Sequence, residues 1–229
     1  DIAYQLFWQL GRINKAQGDV EKAIAHYSQA TKILSSLRSD LVTINPDVQF
    51  SFRESVEPVY RELVSLLLQP NASQENIKQA RQTIESLQLA ELDNFFQDAC
   101  AQAKPKQIDQ IDPTAAVFYP IILSDRLEVI VSLPNQPLRH YSTIKSQTEL
   151  EQTFIDTRTS LRRTAFEQER LPLAQKLYDW LIRPAESDLI QNNIKTLVFV
   201  LDGTLRNLPM AALYDGQQYV IQKYNIALT

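Results

Sequence analysis

The hydrophobic period of this chain changes once, near residue 105, and that change limits the fold more than any other feature. Up to residue 104 apolar residues recur at three- and four-residue spacing, as on one face of a helix. From residue 114 short β-type runs alternate with helical stretches, which is the pattern of an α/β sheet. A polar segment bounded by Pro105 and Pro113 lies between. The expected class is therefore α+β overall. An all-α region spans 1–104, a linker 105–113 and an α/β unit 114–229.

Composition narrows the function classes. A length of 229 residues suits one large domain or two modest ones. A net charge of −4 argues against nucleic acid, because phosphate binding needs a basic face. No apolar run approaches the length of a membrane span, and no signal peptide opens the chain. The single cysteine excludes an internal disulfide and fits a reducing, cytoplasmic setting. The glycines are Gly11, Gly18, Gly203 and Gly216, too dispersed for a P-loop or a dinucleotide fingerprint. No cofactor and no metal is expected. The chain opens at Asp1 in mid-pattern, and both ends are expected to be cut ends of a longer protein.

In the first half, Leu10-Gly11, a Gly18-Asp19 turn, and Ala23, Tyr27 and Ala30 fall at fixed offsets within residues 4–37. The small residues allow two helices to approach closely, and Tyr27 fills the gap beside them. This spacing resembles one tetratricopeptide (TPR) unit, with Phe7, Asn14 and Ser35 where the family usually has Trp, Tyr and Pro. A repeat buries its apolar face only against neighbours, so a TPR-like helical array is expected. After the break at Asn45-Pro46-Asp47, Val56, Val59, Tyr60, Leu63, Leu66 and Leu67 predict a helix with Pro58 in its first turn. Ser73 is expected to cap a helix whose seam is Ile77, Ala80, Ile84 and Leu87. Leu89, Leu92, Phe95, Phe96, Ala99, Cys100 and Ala103 predict a third helix.

In the second half, strands are expected at 116–123, 127–133 and 139–144, with Leu127, Val129, Val131 and Leu133 alternating with Glu128 and Ser132. Leu150, Phe154, Arg158 and Leu161 mark a helix over 147–164; another is expected to open at Pro172 and close at Pro184. The apolar run Leu197 to Leu201 predicts a buried strand over 196–201, and Tyr219 to Ala227 predicts another strand. Only two helices, near 147–164 and 172–183, are then expected to cover the 196–201 strand, and its edge is expected to lack a partner. The corresponding expectation is that the isolated chain either self-associates through this sheet or stands beside the rest of the protein.

Asp202-Gly203 and Asp215-Gly216 read as structural turns around the run Leu205-Arg206-Asn207-Leu208-Pro209 and the patch Met210-Ala211-Ala212-Leu213. This segment resembles the opening of the CHAT domain, a caspase-like cysteine peptidase domain that follows TPR repeats. The resemblance implies an incomplete α/β caspase-like sheet over 114–229. In that family the catalytic His and Cys stand at the ends of later strands, so no catalytic residue is assigned in this chain.

Cys100 falls on an apolar helix face with Phe96 and Ala103 and reads as core. His26 and His140 have neither metal-ligand spacing nor the family's His-Gly context. Ligands of open α/β sheets bind beyond the carboxyl ends of strands, which makes Arg206 and Asn207 the candidate substrate-binding residues. The resemblance implies the regulatory and N-terminal portion of a peptidase. TPR helices would bind a protein or peptide partner, and the remainder of the CHAT domain would supply hydrolysis. The alternative is an interaction scaffold with a degenerate caspase-like domain. A TPR adaptor gripping acidic C-termini needs Lys and Asn on several repeats, and only Asn14 and Lys15 qualify.

Overall fold

A computed structural model describes residues 2–41, 52–96, 112–162 and 166–229. Cys100 and most of the expected linker lie outside the described residues. The chain divides into two compact units, Asp1–Pro105 and Lys106–Thr229.

The first unit is helical. α1 (Ile2–Ala16) and α2 (Val20–Leu41) form a hairpin through Gly18, whose φ of +79° suits glycine. Asp19 accepts the Lys22 amide at 3.2 Å, which helps start α2. Ala23, Tyr27 and Ala30 are fully buried on the face of α2 that meets α1. The Tyr27 ring lies against Gly11, where an added Cβ would sit 2.7 Å from it. Beyond a π-helical turn at Phe52–Val56, α3 (Glu57–Leu67) packs on α2. Pro58 occupies its first turn, and Val59, Tyr60, Leu63, Val64, Leu66 and Leu67 are buried. Glu62 of α3 accepts hydrogen bonds from Trp8 Nε1, at 3.1 Å, and from the Tyr27 hydroxyl. That contact ties the hairpin to the next helix. Burial, with Glu62 close by, raises the Tyr27 pKa.

α4 (Gln74–Phe96) starts at Ser73, whose Oγ accepts the Asn76 amide at 3.1 Å. Ile77, Ala80, Ile84 and Leu87 form its buried seam. The two helices expected over 74–103 are one continuous helix to Phe96, because no residue between Leu87 and Leu89 interrupts the backbone.

The second unit is a mixed sheet of order β3-β2-β1-β4-β5. β1 (Ala115–Ile122), β2 (Arg126–Ser132) and β3 (Arg139–Ile144) pair antiparallel. β4 (Thr196–Phe199) pairs parallel with β1 on one edge and with β5 (Asn225–Leu228) on the other. The strand expected to lack a partner is thus saturated on both edges, and the expectation of an unpaired edge there is corrected. Strand β4 ends at Phe199, two residues short of the expected boundary, because Leu201 and Asp202 already lead into a turn.

α5 (Gln147–Ser160), α6 (Glu167–Leu181) and the short α7 (Glu186–Gln191) lie between β3 and β4. The helix expected from Pro172 begins five residues earlier, with Pro172 inside it. The buried stripe of α5 is Leu150, Thr153, Phe154, Thr157 and Ser160, whereas Arg158 points to solvent. Those hydroxyls bond back to carbonyls of their own helix, so polar residues are buried without an unmet donor.

The strand expected over 219–227 is half helix: α8 (Val220–Lys223) precedes β5. β-favouring side chains are overridden because Val220 is drawn into the core and its amide bonds to Leu213 O at 2.9 Å. Gln222 Oε1 accepts the Tyr219 amide, closing the helix start. The core gathers Phe118, Val129, Phe154, Leu177, Leu197, Phe199, Leu205, Met210 and Tyr224. Glu128 and Ser132, expected on a polar face by alternation, are buried as well. Both faces of β2 are covered.

Gly11→Ala decides between two effects. Helix propensity favours Ala by about 1 kcal/mol, while overpacking against Tyr27 costs about 1–3 kcal/mol. The substitution is expected to destabilise the helical unit in urea denaturation. Neutral or raised stability would show that the α1–α2 approach is looser than described.

Candidate functional site

Asp202 sits where β4 ends, and it is buried. Its Oδ2 accepts the Ile122 amide at 3.0 Å, so one carboxylate ties the carboxyl ends of the parallel strands β1 and β4. The Asp202 carbonyl accepts the Leu205 amide at 3.1 Å and opens a 3₁₀ turn over Gly203–Asn207. Gly203 has φ +50° and lies over the Ile122 side chain. A side chain there would be strained in this left-handed conformation.

The turn sorts its residues by chemistry. Leu205 and Leu208 point into the core, and Arg206 and Asn207 face solvent. Arg206 Nε donates to Leu201 O at 3.0 Å, which curls the side chain over its own turn. Arg206 and Asn207 therefore stand together at the carboxyl-end rim of β1 and β4, the place where open α/β sheets bind ligands. Met210, Leu213 and Val220 anchor the chain that follows to the core.

The second turn is built differently. Asp215 Oδ1 accepts the amides of Gln217, at 2.7 Å, and Gln218, at 2.8 Å. Gly216 has φ +106°, and an added Cβ there would sit 3.3 Å from Gln175 Nε2 of α6. The Asp215 carbonyl accepts Arg183 Nη2 at 2.5 Å. The second turn is thus held to the helices, while the first is held to the sheet.

An ionic knot fixes this region, and the sequence pattern did not disclose it. Glu186 accepts from Lys223 Nζ at 2.9 Å and from the Tyr178 hydroxyl at 3.0 Å. Arg183 bonds Asp179 and Glu186 and lies 4.8 Å from the centre of the Tyr178 ring. Burial works against ionisation of Glu186, but the Lys223 and Tyr178 hydrogen bonds prevail and its pKa is lowered. Burial likewise opposes Asp215, and the Gln218 and Gln217 amides hold its pKa below the usual range. Burial of Lys223 is outweighed by its Glu186 bond, so its pKa is raised. The only warning in the sequence was the crowding of charge around Pro184, which specifies no partner.

Among the described residues no group of three or more His, Cys, Asp or Glu is placed to hold a metal ion. His26 stands in the helical unit with its ring 6.1 Å from Phe7, and His140 lies on edge strand β3. Neither is on the rim turn. No described helix is long and apolar enough to cross a membrane.

Comparison with known families gives the rim its context. Residues 171–229 match the family model of the CHAT domain. The match runs from within α6 through β4, both turns and β5. No curated protein matches the chain.

Two variants probe the geometry. Asp202→Ala leaves the Ile122 amide buried without its acceptor, and a loss of about 1–3 kcal/mol is expected in urea denaturation. A neutral result would mean that the carboxylate does not tie β1 to β4. Glu186→Gln tests the ionic knot through pH. A lowered carboxyl pKa contributes stability above the unfolded value, about 4.3, and loses it as pH falls through the folded value. The melting-temperature gap between native chain and variant is therefore expected at pH 7 and should narrow as pH falls below the unfolded carboxyl value. A gap that does not change with pH would assign the effect to packing.

Proposed function

We propose that this chain is the regulatory and N-terminal portion of a TPR-CHAT cysteine peptidase. The carrying observation is the CHAT match over residues 171–229, which coincides with β4, the rim turn and β5. In this reading the helices of the first unit bind a protein partner and gate hydrolysis. The α1–α2 hairpin supports it, with Gly11 packed on Tyr27 and buried Ala23 and Ala30. Peptide cleavage proceeds by attack of a Cys thiolate activated by a nearby His, both residues coming from a later segment of the family's domain. Arg206 and Asn207 face the substrate peptide from the rim, and the protein works in the cytoplasm.

The test uses the full-length gene product and a fluorogenic peptide mixture. Hydrolysis blocked by a thiol-reactive reagent is expected. Arg206→Ala should raise KM roughly tenfold with kcat little changed, as for loss of a binding contact. Absence of hydrolysis and of thiol labelling would overturn the peptidase reading and leave the degenerate-scaffold alternative. Unchanged KM would remove Arg206 from the substrate site alone.

A further inference from the structure

The two faces of edge strand β3 are fastened by different carboxylates. On one face the Tyr141 hydroxyl donates to Asp188 Oδ2 at 3.0 Å, and Arg139 Nε lies 3.6 Å from the same oxygen. Burial, with Asp188 alongside, pushes the Tyr141 pKa up to about 12. His140 and Ser142 turn to the other face, beside Ile130 and Glu128 of β2. Glu128 is fully buried. Its Oε1 accepts from Arg126 Nε at 2.5 Å and from Ser142 Oγ at 3.1 Å. Its Oε2 is buried without a donor, and so is His140 Nδ1, 3.6 Å away.

The charges around this pair do not balance. Arg126 also donates to both oxygens of Asp125, at 3.0 and 3.1 Å. Among the described residues these two carboxylates therefore share one permanent cation. Among the described residues, the other titratable and charged groups nearby are engaged or point elsewhere. Tyr119 of β1 lies in the same cross-strand row two strands away. Lys145, just past β3, pairs with Glu149 at 2.8 Å. Arg139, Tyr141 and Asp188 occupy the opposite face. His140 is the group placed to bring a second positive charge to Glu128.

We propose that His140 is a proton-operated clasp on edge strand β3. Solvent supplies a proton to the imidazole, Nδ1–H then donates to Glu128 Oε2, and the four-group cluster becomes neutral. Closing the contact shortens the separation from 3.6 Å to about 2.8 Å, a shift within reach of a small side-chain rotation. Imidazole is the side chain that changes charge between about pH 5 and 8. The clasp is closed at the acid end and opens as pH rises. The hairpin beside it leads from Ile122, whose amide Asp202 holds, and anchors the start of α5 through Lys145 N to Asp125 O and Gln147 N to Ser124 O, both 3.2 Å. Opening the clasp therefore loosens the outer end of the sheet next to the rim.

The test compares the native chain with His140→Gln at pH 5.5 and pH 8 by thermal melting. The melting-temperature advantage of the native chain is expected to be larger at pH 5.5, by at least about 2 °C. An equal advantage at both pH values would overturn the proposal. Nitrogen-15 NMR of the imidazole, assigned by its loss in His140→Gln, gives a readout independent of the variant's stability. Protonation of Nδ1 with a downfield-shifted, hydrogen-bonded proton at pH 5.5, lost in Glu128→Gln, supports the clasp. A ring that keeps one protonation state from pH 5 to 8, or that titrates identically in Glu128→Gln, sinks it.

Discussion

Saturation of β4 on both edges is the constraint on which the second unit depends. Leu197, Val198 and Phe199 are all buried, each side chain contributing about 1.5–3 kcal/mol relative to exposure. That burial requires cover on both faces and backbone partners on both sides. β1 supplies one edge, with Phe118 opposite Phe199 and their rings 5.3 Å apart. β5 supplies the other through a connection with little regular structure, and that connection has to carry core side chains of its own. Leu205, Leu208, Met210, Leu213 and Val220 meet that need. The rim turn is consequently packed at Leu205 and Leu208 and open at Arg206 and Asn207. The exposed polar pair is thus carried by the segment that closes the core.

The physical reason that so much of the fold was legible is that long apolar periods survive tertiary context. The buried face of α2, the seam of α4 and the β-runs of β1 to β4 all follow from spacing. Two of the failures share one cause, which is local preference overruled by a distant partner. Tyr219 to Lys223 favour a strand on their own, and Leu213 O and the core claim Val220 for a helical turn. Glu128 alternates as a solvent-facing residue should, and Arg126 with Ser142 permits its burial. A buried charge tolerates the interior only when paired and hydrogen-bonded, and pairing cannot be read along one strand.

The candidate site shows the same division. The turns at Asp202-Gly203 and Asp215-Gly216 were legible because glycine at positive φ and an acceptor for nearby amides are local requirements. The bond from Ile122 N to Asp202 was not, since the partners are far apart in the chain. Nor was the knot of Tyr178, Arg183, Glu186 and Lys223, which brings together residues of α6, the 3₁₀ turn after it, α7 and α8. Turn chemistry located the rim, and long-range polar contacts fix its orientation.

The two edges of the sheet differ in kind, and the difference has a physical meaning. β3 carries Arg139 and His140, ends next to Lys145, and lies against the buried Glu128. Charges along an edge and charges turned inward both oppose pairing with a further strand. β5 reads Asn-Ile-Ala-Leu, with no charge and no proline, and Leu228 is 57% exposed. Among the described residues it pairs with β4 alone. Charge therefore opposes strand addition at β3 and not at β5. The proton clasp stands on the charged edge. Its opening changes how firmly an existing strand is held and leaves the β5 edge untouched, so the two edges differ in their response to pH by construction.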